Sequence, residues 1–285
     1  MIKPPRLGRL TQGTVFCGAK AGDYLSVPTW GVIITARCDT AQEKTPLVNY
    51  LPLVRVEDWL ERDGGTVILD RALSDLLNRF KALMTTRDFA ASLLEVYSPS
   101  EITAEHFALP PTPGTSKKVE KELREAQQAA DLAAEIAQVN EALADRPDRA
   151  LFVRQQLLGC RKWTEAVIKE LFSHRLAGYY FIPDIGDLTD NSSALGYVVL
   201  LREIHHIPRP TVSRLVNGVA ADANGAVDLA GLCFKSFDFA CPVTEIQSPW
   251  IEHLMQAFCS LFGRIGIVDL DKGRTSRIVN AVSPN

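Results

Sequence analysis

The sequence predicts an α+β chain in which two small β-rich blocks, related by an internal duplication, are bridged by a helical hairpin. Three observations predict it. The run Trp30-Gly31-Val32-Ile33-Ile34-Thr35-Ala36-Arg37 is apolar on both faces, as a central strand must be, and ends in charge at Arg37-Cys38-Asp39. Gly196-Tyr-Val-Val-Leu-Leu-Arg202-Glu203 repeats that pattern 165 positions later, and the same offset sets Gly13-Thr-Val-Phe16 beside Gly178-Tyr-Tyr-Phe181 without a gap. Between the two copies, residues 117–145 carry an uninterrupted helical period.

The totals fit a chain able to bury a substantial core: 285 residues, 46% hydrophobic and 23% charged. A net charge of −3 does not advertise nucleic acid or acidic lipid as a partner of the whole chain, and leaves room for a local basic patch. No run approaches the ~18 apolar residues of a membrane span, and Met1-Ile-Lys-Pro-Pro-Arg6 has no apolar signal core. Cys17, Cys38, Cys160, Cys233, Cys241 and Cys259 show no C-x-x-C spacing. The expectation is reduced, buried thiols in a cytoplasmic protein.

In chain order, the first β block spans residues 1–70, with strands at 13–17, 31–37 and 49–56. Pro52 cannot donate to a ladder and marks an edge or a bulge. A short helix at 56–62 is followed by a turn at Asp63-Gly64-Gly65. Residues 71–110 form a helical segment, with a polar break at Thr85-Thr86-Arg87 and a stop at Pro99; Ser100–Thr103 starts one more short helix. Leu109–Ser116 is a Pro-rich linker. The hairpin at 111–176 pairs a first helix, charged early and alanine-rich later, with a second one broken near Gly159. Leu132, Ile136, Val139 and Leu143, at 4-3-4 spacing, suit packing on another helix. The early end projects, and the hairpin is either scaffold or an arm that recruits a partner. The second block, 177–285, holds strands at 178–182 and 196–202, turns at Asn217-Gly218 and Asn224-Gly225, and a strand at 232–237. A helix over 249–262 follows, with Ser248 as N-cap and Pro249 at N1, then closing strands near 266–269 and 277–279.

Two constellations stand out as binding candidates. Arg37, Cys38, Asp39 and Lys44 follow a buried strand that would hold them in place. Arg37 or Lys44 could activate Cys38 as a thiolate, but the first block has no histidine to serve as its base. Arg202, Glu203, His205, His206 and Arg209 occupy the equivalent place in the second block. Neighbouring side chains of an extended segment point apart, so His205 and His206 cannot share one metal ion. A third group, Glu252, His253 and Gln256, reads as a polar helix edge. No Gly-rich phosphate loop, Gly-x-Ser-x-Gly or zinc spacing is present, and the sequence calls for no cofactor or metal.

The block Gly13-Thr-Val-Phe … Trp30-Gly-Val-Ile-Ile-Thr … Leu51-Pro-Leu-Val resembles the opening strands of the PemK/MazF-like toxins. That resemblance implies SH3-like barrels and, for many members, cleavage of RNA. The family usually places an arginine before its second strand to stabilise charge on the scissile phosphate. Here Pro28-Thr29-Trp30 and Ala194-Leu195 stand there, and Arg37 and Arg202 lie at the opposite strand end, so no catalytic role carries over. What the resemblance implies is a regulatory or adaptor protein of a bacterial toxin–antitoxin-like or phage-defence system that binds a protein partner. The alternative is a metal-independent endoribonuclease acting on RNA. A basic cleft uniting Arg37, Lys44, Arg202 and Arg209 would favour the second, and an apolar face the first.

Overall fold

The computed structural model describes residues 1–6, 8–42, 45–107, 117–144, 157, 159–187, 194–221 and 229–262. It is an α+β structure built on a curled antiparallel sheet shaped as a half barrel. The sheet strands are β1 (Ile2–Lys3), β2 (Thr14–Cys17), β3 (Trp30–Ile33), β4 (Leu47–Arg55), β5 (Tyr179–Ile182), β6 (Tyr197–Leu200), β7 (His205–Pro208) and β10 (Pro242–Ile246). Between the last two, β8 (Val219–Ala220) and β9 (Phe239–Ala240) form a separate ribbon. The order across the sheet is β1-β10-β2-β3-β4-β6-β5, with β7 also paired to β4.

The long strand β4 joins the two halves. One edge pairs with β3, from Trp30↔Leu53 to Ile33↔Tyr50. The other edge is shared: Leu47–Tyr50 pair with β7 and Leu53–Arg55 with β6. Backbone groups of alternate residues face alternate edges. The Asn49 carbonyl accepts from the Ile34 N–H on the β3 side. Pro52, three residues on, therefore turns its donorless nitrogen toward the gap between β7 and β6. The chain thus does not place Pro52 at the expected edge or bulge: Pro52 lies inside a strand paired on both sides.

The two β-rich blocks are consequently halves of one sheet rather than separate bodies. Their hairpins are alike locally. A Cβ added to Gly31 would fall 2.5 Å from the Phe16 ring, and one on Gly196 would fall 2.5 Å from Phe181, so each phenylalanine lies across a glycine. Gly13 and Gly178, with φ of 90° and 96°, start the two hairpins. The likeness stops there. Phe16 is opposite Gly31, whereas Phe181 is opposite Val198, and β7 pairs with β4 instead of β6.

Strand alternation sends side chains to two faces. Val54, Val198 and Leu200 join one apolar cluster, whereas Val15, Val32, Ile34, Leu53 and Val199 join another. Val32, Ile34, Val198 and Leu200 are buried, as a central strand requires. A third cluster surrounds Phe16, Ile33 and Tyr50.

Helices cover the first cluster. α1 (Arg37–Ala41) lies apart from it, after β3. α2 (Val56–Trp59) runs through a π-wound stretch, Leu60–Gly64, into α3 (Gly65–Thr85), so the turn expected at residues 63–65 is helical instead. Gly64 adopts φ −63° and ψ −42°, and the Trp59 ring occupies the space where its Cβ would stand. Packing of that ring overrides the turn preference of the two glycines. Pro99 opens α4 (Pro99–His106) rather than stopping a helix: Ser98 caps it in a box with Glu101, and proline suits the first helical position.

In α5 (Lys117–Leu143), Leu132, Ile136 and Val139 are buried while the side chains of Lys121 and Arg124 are 73% and 82% exposed. Among the described residues α5 packs chiefly on α3 and α4, and α6 (Arg161–Phe172) packs on α3 and β5, so the expected hairpin is spread over the body. α7 (Arg209–Leu215) and α8 (Trp250–Phe262) complete the chain. α8 begins at Trp250, after a cis Ser248–Pro249 bond. The strand expected at 232–237 reduces to one bridge, Ala19↔Leu232, because β10 and β3 already occupy both edges of β2. The linker 109–116, the Asn224-Gly225 turn and the closing strands lie outside the described residues.

Candidate functional site

The two sequence-derived constellations are dispersed by the fold. β3 ends at Ile33, so Arg37, Cys38 and Asp39 sit on α1 and not at a strand end. Cys38 is therefore exposed, contrary to the expectation of a buried thiol. Its Sγ lies 3.6 Å from the Asp39 carboxylate. Arg37 approaches Glu252 of α8 at 3.9 Å, with both side chains about half exposed. Arg209 donates to the carbonyls of Thr45 at 2.8 Å and Asp39 at 2.9 Å, and so ties the loop after α1 to the start of α7. Lys44 lies outside the described residues.

In the other group, the Glu203 carboxylate accepts from the Gly22 N–H and bonds the His205 ring. His205 stacks on Tyr50, 5.5 Å between centroids. The Tyr50 hydroxyl accepts from the Lys20 N–H at 3.0 Å and donates to the Gly231 carbonyl at 2.9 Å. Burial pushes the Tyr50 phenol up. Burial also raises the carboxyl of Asp63, with Asp23 and Glu203 adding negative charge. Arg202 lies over Gly178. His206 faces away from His205, exposed, as strand alternation demands. This network ties loops together. Among the described residues no group of three or more His, Cys, Asp and Glu could hold a metal ion.

A third place concentrates more chemistry. α6 ends in a Schellman motif: the His174 N–H bonds the Leu171 carbonyl at 3.0 Å and the Arg175 N–H bonds that of Glu170 at 2.8 Å. His174 occupies the left-handed position of this motif, φ 55°, where glycine is usual. Its ring stacks on Tyr180, 4.2 Å and 18° apart, and lies 5.2 Å from the ring of His253 on α8. The Tyr180 hydroxyl is 3.0 Å from His253 Nδ1. Burial pushes the Tyr180 phenol up to about 12, so it stays protonated and can donate. His174 Nδ1 is buried and finds no partner among the described residues. Burial, then the neighbouring His253, lower the His174 pKa.

His174 and His253 border a cleft of about 380 Å³, also lined by Arg175, Tyr179, Gln256 and Ser260; among the described residues no carboxylate lines it. A larger pocket of about 670 Å³ beside Leu60, Leu157 and Arg161 has, among the described residues, no histidine or thiol in its walls. Sequence reasoning placed His253 on a polar helix edge and passed over His174. The one available signal was a helix whose apolar pattern stops at Phe172, leaving histidine where a C-terminal glycine belongs. A pair of thiols also went unseen: Cys17 Sγ lies 3.9 Å from Cys241 Sγ.

No helix among the described residues is long and apolar enough to cross a membrane. Neither a protein-family model, nor a curated protein, nor a solved structure matches this chain.

Proposed function

We propose that this chain is a regulatory or adaptor protein of a bacterial toxin–antitoxin-like or phage-defence system, acting in the cytoplasm by binding a protein partner. The system rests on the PemK/MazF-like resemblance alone, as does reading the curled sheet as SH3-like and its two hairpins as duplicates. One observation supports the binding role. The arginines that a basic RNA cleft would need are scattered: Arg209 is held on two carbonyls, Arg37 faces Glu252, and Arg202 lies exposed over Gly178. Near the cleft, by contrast, Phe172 and Trp250 stay 51% and 37% exposed, and exposed aromatic side chains are common anchors for protein partners.

The test is capture from the native host by wild type and by an F172A/W250A variant, each with and without nuclease. A discrete protein that survives nuclease and is lost by the variant supports the reading. Loss on nuclease treatment, or retention by the variant, overturns it.

The second reading, a metal-independent endoribonuclease, is favoured by the His174–His253 pair, which could divide general acid and base between two imidazoles. Cleavage of a fluorogenic RNA in the presence of a chelator, abolished by H253N, would support it. An intact substrate would remove it.

A further inference from the structure

We propose that the cleft between the end of α6 and α8 binds the phosphate group of a nucleotide-sized ester. The first argument is charge. Its polar lining consists of donors and neutral groups, among them His174, His253, Arg175 and Gln256. The carboxylates closest to them in sequence are engaged with other partners: Glu170 grips Arg71 at 2.6 and 2.9 Å, and Glu252 faces Arg37. Among the described residues no carboxylate lines the cleft wall.

The second argument is preorganisation. A non-glycine residue at φ 55° carries a backbone cost, and the imidazole it places is held flat against Tyr180. The Tyr180 hydroxyl bonds His253 Nδ1 and holds that ring in place; where the hydroxyl donates, the His253 proton sits on Nε2 as a second donor. The third is size. About 380 Å³ exceeds what free phosphate needs and falls within the ~300–1,000 Å³ of small-molecule sites.

Calorimetry on the full chain tests this with three probes: adenosine monophosphate, inorganic phosphate and adenosine. The monophosphate should bind, inorganic phosphate more weakly, and adenosine not detectably. H253N and R175A change exposed residues, and H174N keeps a residue that tolerates the left-handed turn; each should weaken monophosphate binding tenfold or more. No binding of the monophosphate at millimolar concentration overturns the proposal. So does adenosine binding as tightly as its monophosphate, or unchanged affinity in H253N and R175A. Equal affinity for inorganic phosphate overturns the ester. Binding is read without cleavage and without a protein partner, so the result is independent of both functional readings above.

Discussion

Gly31 and Gly196 show how much can rest on a missing side chain. A Cβ on Gly31 meets the rings of Phe16 and Tyr50, and one on Gly196 meets Phe181 at a φ of 127°. Overpacking of this kind costs about 1–3 kcal/mol. Gly196→Ala adds backbone strain to the clash, so urea denaturation should rank it below Gly31→Ala, and both below wild type. A wild-type midpoint for either would show that the ring moves aside freely. His174 makes a pH-dependent contribution. Unfolded histidine titrates near 6.5, and in the folded chain burial and His253 hold His174 lower. Above 6.5 its contribution is fully present; as pH falls from there through the depressed folded pKa, the unfolded chain gains the proton more readily and stability is lost. H174N should therefore show a smaller drop in melting temperature between pH 8 and pH 5 than wild type. Equal drops would show that His174 does not carry the acid sensitivity.

Between elements, β2 and β10 place two thiols together. Cys17 Sγ lies 3.9 Å from Cys241 Sγ, and this contact pushes the Cys17 thiol up and brings the Cys241 thiol down. A disulfide needs about 2.0 Å between sulfurs, so closure asks for a modest side-chain movement. Diamide accepts the two electrons and two protons released as the bond forms. Treatment should lower the intact mass by about 2 Da and link the peptides that carry Cys17 and Cys241, with no such link in C17S. A diamide-treated chain that keeps both thiols free would show that the strands hold the sulfurs apart. The same pairing of elements explains why residues 232–237 make one bridge only: β2 has no edge left to offer.

For the whole molecule the open contrast is arm against scaffold. α5 buries Ala126, Ala129, Leu132, Ala133 and Ile136, whereas Lys117, Glu120, Lys121, Leu123 and Arg124 near its amino-terminal end are exposed; Glu125 bonds Arg87 at 2.8 Å. Reversing charge at Lys117 and Lys121 should leave the melting temperature nearly unchanged, since exposed charges contribute little to folding. If that end recruits a partner, capture weakens in the same variant. A lower melting temperature with undiminished capture identifies α5 as scaffold.

Local pattern was enough for several features. Two-faced apolarity marked Val32, Ile34, Val198 and Leu200 as buried, and the 4-3-4 stripe marked the packed part of α5, because periodicity reports which face of an element avoids water. The α+β class followed from the same patterns. Other features were decided only by the tertiary structure. That β4 serves both halves of one sheet depends on backbone hydrogen bonds between distant segments, to which side-chain periodicity is blind. Local composition argued for a turn at residues 63–65, and the Trp59 ring over Gly64 outweighed it. Cys17 and Cys241 are 224 positions apart, and Tyr180 and His253 are 73 apart. Neither pair has a spacing to read, because the sheet, and not the local chain, brings them into contact.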